Sequence, residues 1–236
     1  ALAFYKRFYA PNNATLVIAG DVTAQDVRPM AEATFGKVAP QPEIAAKRIR
    51  PQEPPPAGPR TVTLADPRVE QPNLRRYYLV PSSLTAAAGE SEALDVLAQL
   101  MGAGSNAYLY QALVVDKPLA VSAGAWYQGT AVDTSQFGIS VSPKAGVEFS
   151  QIEQAVERVI SDVARNPIPA EDLERAKTQL IAESVYAQDS QSALARWYGA
   201  AVTVGMSTDD VKSWPVPSPP LRSARPLKNG STTNDR

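Results

Sequence analysis

The residue types most often used for catalysis are missing from this sequence. Among its 236 residues there is no histidine and no cysteine. The chain therefore cannot supply an imidazole general base, a Ser/His/Asp triad, a cysteine nucleophile, or a zinc site ligated by histidine or thiolate. Any histidine chemistry connected with this protein must come from another segment or another polypeptide.

Neighbouring acidic residues are the remaining candidates for a metal site. Three such pairs are Glu90 with Glu92, Glu171 with Asp172, and Asp209 with Asp210. Carboxylates can bind a hard cation. Each pair, however, stands near the predicted start of a helix, where acidic side chains complement the positive end of the helix dipole. We interpret all three pairs as surface residues and predict no metal ligand in this chain.

A glycine turn and several aromatic side chains are the other candidates. The segment 102–107 loosely resembles a dinucleotide-binding loop, but it lies between two predicted helices rather than after a strand. A structural turn is therefore the better interpretation. Trp126, Tyr127 and Trp197 could line a peptide pocket, or they could belong to the core.

Composition excludes two further classes of function. The chain is 44% apolar and 20% charged, which is enough to bury a core. Its formal net charge is −1 and its basic residues are dispersed, so we expect no nucleic-acid partner. No apolar run approaches the ~18 residues that a membrane span requires, so we expect no membrane-spanning segment.

Proline divides the chain. Many of the 21 prolines crowd into two stretches, where missing amide donors and fixed φ angles oppose helices and central strands. We predict a helix–strand–helix module over 1–38, a Pro-rich linker over 39–58, a larger domain over 59–213 and a disordered tail over 214–236. Because the first module is too short to be a domain, we interpret it as the closing part of an N-terminal domain that is otherwise missing.

The spacing of apolar residues predicts the elements. In the first module we expect a short helix around Phe4 to Tyr9, a buried strand over 14–19, and a helix capped by Thr23 that ends near Phe35. In the larger domain, strands are expected at 61–64, 75–80, 120–128 and 136–142. Helices are expected at 91–101, 108–115, 152–163 and 192–204, with another opened by Pro169. This pattern predicts an α+β fold, a mostly antiparallel sheet with helices packed on one side.

Several segments together resemble one known family. Residues 4–22, FYKRFYAPNNATLVIAGDV, and residues 34–37, TFGK, resemble the segment that closes the first domain in the pitrilysin/insulinase (inverzincin) family of zinc metallopeptidases. Residues 102–113 resemble the glycine turn and helix of that family's second domain, and residues 169–189 resemble its long penultimate helix. The resemblance extends in order over residues 3–214.

The resemblance implies a division of labour between domains. Each domain of the family is a metallopeptidase-type α/β roll, and two domains enclose peptide substrates in a chamber. Zinc is held in the N-terminal domain by an inverted His-x-x-Glu-His motif, whose Glu activates water. Since this chain lacks the motif, zinc is expected in the missing N-terminal peptidase domain, no cofactor is expected on this chain, and the chain alone is expected to be inactive.

The family's second domain often supplies an Arg and a Tyr, seven residues apart, that hold the scissile peptide. The matching positions here are Val114 and Val121. In bacterial two-subunit members, the zinc-bearing subunit lacks this pair and a homologous partner supplies it. The resemblance therefore implies the C-terminal, noncatalytic domain of the zinc-bearing subunit of a heterodimeric metalloendopeptidase. The alternative is a noncatalytic core or scaffold subunit, or a peptide-binding subunit, of the same fold.

Three residues are candidates for lining the substrate chamber: Gly104, Trp126 and Tyr127. No residue is assigned a catalytic or metal-binding role. Bacterial members of the family are commonly exported, which is compatible with a periplasmic location, but the residues of this chain do not determine the compartment.

Overall fold

The computed structural model describes residues 1–44 and 53–213. The helices are α1 (Leu2–Phe8), α2 (Ala24–Thr34), α3 (Glu90–Gly102), α4 (Tyr108–Tyr110), α5 (Phe149–Arg165), α6 (Ala170–Ala187), α7 (Gln191–Val204) and α8 (Thr208–Ser213). The strands are β1 (Leu74–Val80), β2 (Ala120–Tyr127) and β3 (Ser135–Pro143). Short 3-10 helices lie at Pro11–Asn13 and Phe35–Lys37. A π-helical segment at Gln111–Asp116 continues α4.

The described residues fall into two compact units. One contains residues 1–44, 53–55 and 184–213, and the other contains residues 56–183. The sequence assigns residues 184–213 to the same domain as β1, and that boundary stays a prediction.

Parts of the predicted linker and tail cannot be compared with the structure. Residues 45–52 of the linker and all of the tail over 214–236 lie outside the described residues.

The first unit is helical, and its best-formed local motif is the start of α2. The Thr23 hydroxyl oxygen accepts a hydrogen bond from the Asp26 amide at 3.3 Å, and the Asp26 carboxylate accepts one from the Thr23 amide at 3.3 Å. These reciprocal bonds satisfy two amides that a helix start leaves unpaired. The predicted cap at Thr23 is therefore confirmed, and α2 ends close to the predicted position.

Two predicted strands are absent from the described residues. Residues 14–19 and 61–64 belong to no strand, and Val62 and Leu64 are 92% and 87% exposed. Both predictions were wrong for this chain because a strand requires a neighbour whose amides and carbonyls complete the ladder. Side-chain type alone does not supply that neighbour.

The second unit is built on a three-stranded antiparallel sheet. β3 is central, with β1 on one side and β2 on the other, in the order β1-β3-β2. One row across the sheet joins Tyr77, Gly138 and Trp126, and the next joins Tyr78, Phe137 and Tyr127. Because alternate residues of a strand point to opposite faces, these two rows belong to opposite faces of the sheet.

One face of this sheet carries the core. Phe137, Ile139 and Val141 of β3 are buried there, and they pack with Leu109 of α4 and Ile152 of α5. The apolar stripe predicted at 152–163 is the buried side of α5. The α+β class, with an antiparallel sheet and helices on one side, is confirmed.

The helix predicted to open with Pro169 begins one residue later. The Pro169 carbonyl accepts a hydrogen bond from the Leu173 amide at 3.1 Å, so the proline caps α6 rather than occupying its first turn. Among the described residues, no helix is long and apolar enough to cross a membrane.

Candidate functional site

The face of the sheet opposite the core is open. Alternation along β1 directs Arg75, Tyr77 and Leu79 to this face, and all three side chains are exposed. Trp126 of β2 lies on the same face, because it pairs through Gly138 with Tyr77. We refer to this surface, formed by the outward residues of β1, β2 and β3, as the open face.

Trp126 and Tyr77 form an aromatic pair across the sheet. Their ring centroids are 5.9 Å apart and the rings meet edge to face, at an interplanar angle of 82°. The indole lies across Gly138, since a Cβ atom built on Gly138 would lie 2.3 Å from the Trp126 ring. The glycine therefore provides the space that the indole occupies.

Polar groups occupy the next row of the open face. The Asn73 amide group donates to Ser140 Oγ and Ser142 Oγ, both at 3.1 Å. Arg75 Nε donates to Asn73 Oδ1 at 3.2 Å. In the part of the chain that is described, Arg75 forms no ion pair with a carboxylate. It is also the sole charged side chain that the three strands direct to the open face.

The neighbouring arginine of β1 is used differently. Arg76 points to the core face, where its guanidinium contacts the Glu157 carboxylate of α5 at 2.7 Å and lies 5.3 Å from the centre of the Tyr78 ring. Arg76 thus has a structural partner, whereas Arg75 remains available to a ligand.

The predicted site residues do not share one surface. Trp126 lies on the open face, but Tyr127 lies on the core face, and its hydroxyl donates to the Pro81 carbonyl at 2.7 Å. Burial, followed by the negative charges of Asp95, Glu90 and Glu92, raises the pKa of Tyr127 to about 12. Tyr127 is therefore a neutral hydrogen-bond donor that ties β2 to the end of β1. Trp197 lies on α7, in the first unit.

Gly104 lies in the turn between α3 and α4, with a φ of +77° that favours glycine. Nothing lies within 4 Å of a Cβ atom built there. The glycine of close approach is instead Gly102, where a Cβ would lie 1.8 Å from the Ala125 backbone nitrogen of β2. Gly102 allows the end of α3 to reach the backbone of the sheet.

A second polar cluster joins α4 to α6. The Tyr108 hydroxyl donates to Asp172 Oδ2 at 2.8 Å, and Arg175 donates to Asp172 Oδ1 at 2.5 Å. These two bonds hold the pKa of Asp172 below its usual range. Gln99 of α3 extends the contact by donating to Gln179 Oε1 at 3.2 Å. All of these groups are partnered within the fold, which indicates a structural role.

The acidic pairs identified in the sequence are separate from one another. Glu90 accepts from the Ala87 amide at 3.0 Å, as expected near a helix start, and Asp172 belongs to the cluster just described. Within residues 1–44 and 53–213 there is no group of three or more acidic side chains placed to hold a metal ion.

The sequence indicated no role in the site for Gly138, Gly102 or Tyr77. Gly138 carried a detectable signal, because a glycine inside a predicted strand indicates a close approach of another group. No sequence signal identified its occupant as Trp126, since cross-strand register determines that contact.

Comparison with known proteins agrees with this architecture. A family model described as the peptidase M16 inactive domain matches residues 1–180. The zinc protease PqqE of Helicobacter pylori is 24% identical over 192 residues, which are 81% of this chain. The chain spans only 42% of the length of that curated relative.

Solved structures show the same fold. A protease from Helicobacter pylori superposes with a TM-score of 0.77 at 22% identity, over 89% of this chain and 49% of that one. A peptidase M16 inactive domain from Pseudomonas fluorescens gives a TM-score of 0.62 at 16% identity, over 82% of this chain and 44% of the other. The resemblance to zinc metallopeptidases is confirmed, and the chain belongs to the peptidase M16 inactive domain family.

Proposed function

We propose that this chain is the noncatalytic C-terminal part of an insulinase-like zinc metalloendopeptidase, in which it helps to enclose peptide substrates. The observation that carries the proposal is family membership combined with the complete lack of histidine. A chain of this family without histidine cannot provide the zinc ligands, so the zinc and its activated water belong to a separate peptidase domain.

The open face is the proposed contribution of this chain to the chamber. It presents an aromatic pair, Tyr77 and Trp126, beside hydrogen-bonding groups, while its opposite side is filled by the core. Surfaces that combine aromatic rings with polar groups are well suited to holding peptides. In this proposal Trp126 lines the chamber, whereas the Tyr127 hydroxyl supports β2 from behind. Gly104, in the α3–α4 turn, remains a candidate for the chamber rim.

We also propose two partners. The first is the peptidase domain itself, and residues 1–38 are the proposed part that completes it, because Leu16, Ile18 and Phe35 in this stretch are exposed. The second is a homologous subunit that supplies the Arg and Tyr pair. Val114 and Val121, at the matching positions, carry no group that could hold a peptide carbonyl.

Reconstitution tests the proposal. The purified chain with Zn²⁺ and unstructured peptides is expected to hydrolyse nothing. Addition of a zinc-bearing M16 peptidase domain and an Arg/Tyr-bearing M16 subunit encoded beside it is expected to give hydrolysis that a chelator abolishes. Zinc-dependent hydrolysis by the chain alone would contradict the proposal. Stable assembly without any hydrolysis would instead favour a scaffold subunit.

A further inference from the structure

We infer that the open face selects peptide segments in which a large apolar side chain and an acidic one are two residues apart. This inference rests on the proposed function, since it specifies which peptides the chamber wall prefers. It follows from three features of the open face: an aromatic pair, one arginine that pairs with no carboxylate of the described residues, and the distance between them.

The aromatic pair provides the apolar half of the site. Tyr77 is 48% exposed although its ring meets Trp126 edge to face, so part of the pair remains available to a ligand. Leu79, the next outward residue of β1, is 62% exposed and extends the apolar surface. Because Gly138 carries no side chain, the indole can lie close to the backbone of β3 on this face.

The arginine provides the charged half. Arg75 uses Nε to bind Asn73 Oδ1 at 3.2 Å, which leaves its two terminal nitrogens directed to no carboxylate among the described residues. The strands direct no acidic side chain to the open face, so a negatively charged group is complementary to it and a positively charged group is not. Ser140, beside Arg75 in the register, adds a hydroxyl to the same row.

The spacing of Arg75 and Tyr77 along β1 determines which peptide pattern fits. Arg75 and Tyr77 are two residues apart on one strand, which corresponds to about 7 Å along the sheet. In an extended peptide, side chains at positions i and i+2 also point the same way at about 7 Å separation. A peptide lying along β1 can therefore place an apolar side chain over Tyr77 and Trp126 while a carboxylate two residues away meets Arg75, whichever way the peptide runs. Adjacent residues point to opposite sides and cannot do both.

Binding of capped, fluorescein-labelled heptapeptides to the full 236-residue chain tests this inference at low salt. The three probes have the same flanking residues and differ only in the central motif: Phe-Ser-Glu, Phe-Glu-Ser and Phe-Ser-Lys. We expect Phe-Ser-Glu to bind about fivefold more tightly than the other two, the effect of one partly exposed ion pair. Equal affinities for the three probes, or no measurable binding, would overturn the inference.

Variants test whether the peptide preference arises at the open face. Arg75→Gln is expected to remove the preference, and Arg75→Glu to reverse it in favour of Phe-Ser-Lys. The matched control is Arg158→Gln, an exposed arginine of α5 in the helical layer, which should leave the preference unchanged. Tyr77→Ser should weaken all three probes equally. A preference for Phe-Ser-Glu that survives in Arg75→Gln would contradict the assignment.

The binding measurement and the hydrolysis measurement fail independently. If peptides bind without preference while the reconstituted peptidase still turns over, the inference is wrong and the proposed function stands. If the preference is present but no reconstituted assembly hydrolyses peptides, the open face binds as inferred and the peptidase role is wrong.

Discussion

At the scale of single residues, two glycines determine how closely the layers of the second unit approach each other. Gly138 makes room for the indole of Trp126 on the open face, and Gly102 makes room for the backbone of Ala125 at the end of α3. A side chain added at Gly138 would meet the Trp126 side chain, which can rotate away. One added at Gly102 would meet the backbone of β2, which cannot move without breaking strand hydrogen bonds.

Substitution at Gly138 tests whether the Trp126 indole needs the space that this glycine leaves. Gly138→Ala is expected to lower the free energy of unfolding by about 1–3 kcal/mol, since the new methyl group overlaps the Trp126 ring. The matched control is Gly124→Ala in β2, where the nearest atom to the new Cβ is 3.4 Å away. Urea titration compares the two variants. Equal stability of the two variants would show that the position of the indole does not require a glycine at residue 138.

The half-buried carboxyl group of Asp95 makes stability depend on pH. Burial, reinforced by the negative charge of Glu92, raises the pKa of Asp95 to about 7. In the native state Asp95 therefore binds a proton that the unfolded chain has already released between pH of about 4 and 7. Its contribution falls as pH rises through that window, by up to about 1.4 kcal/mol per pH unit.

Asp95→Asn removes this charge while keeping the shape. The variant is expected to be more stable than the parent at pH 8 and to match it near pH 4, as measured by urea unfolding across the range. Asp162→Asn on α5 is the control, because that side chain is exposed. A stability difference that does not change with pH would contradict the assignment to Asp95.

At the scale of elements, helix contacts depend on a few polar bonds as well as on the core. The Tyr108 hydroxyl of α4 connects to Asp172 at the start of α6, and burial together with this bond raises the pKa of Tyr108 to about 12. The hydroxyl therefore stays protonated, and able to donate, at neutral pH.

Tyr108→Phe deletes this bond alone. We expect a loss of about 1 kcal/mol in the free energy of unfolding at pH 7, or somewhat more because the acceptor is charged. The loss should shrink at acidic pH, because the Asp172 contribution is present above the unfolded pKa of the carboxyl and disappears as protonation proceeds below it. Tyr110→Phe in the same helix is the control, since its hydroxyl makes no hydrogen bond within the described residues. Equal losses would refute the role of Asp172.

Element prediction was accurate where a segment carries its own signal. The stripe of Ile152, Val156 and Val159 predicted α5, and Thr23 predicted the start of α2, because the hydrogen bonds of a helix are local. The strands predicted at 14–19 and 61–64 are unpaired, because strand formation depends on a remote partner.

At the scale of the whole molecule, the proposed role of the chain is to provide a surface to an enzyme whose reaction centre lies elsewhere. It spans less than half of the curated zinc protease that it resembles, and it carries no histidine. In the proposed enzyme the zinc and the peptide-holding pair lie on other polypeptide segments.

Zinc should therefore leave the isolated chain unaffected. Added Zn²⁺ at micromolar concentration is expected to leave its melting temperature unchanged, because a ligand stabilises a protein only when the native state binds it. A zinc-bearing M16 peptidase domain should raise the melting temperature of the mixture through assembly. Chelator treatment of the isolated chain is the control. A zinc-dependent stabilisation of the chain alone would reveal a metal site that its composition does not predict.

The sequence by itself determined the α+β class, most of the helices and the lack of histidine chemistry in this chain, because composition and helical periodicity do not depend on which distant residues meet. The ordered motifs identified the family. Only the tertiary structure decided that Tyr127 rather than Trp126 faces the core, that the indole lies against Gly138, and that among the described residues Arg76 pairs with a carboxylate while Arg75 does not. These outcomes depend on strand register and on which side of the sheet the helices cover. Both are set by contacts between residues far apart in the chain.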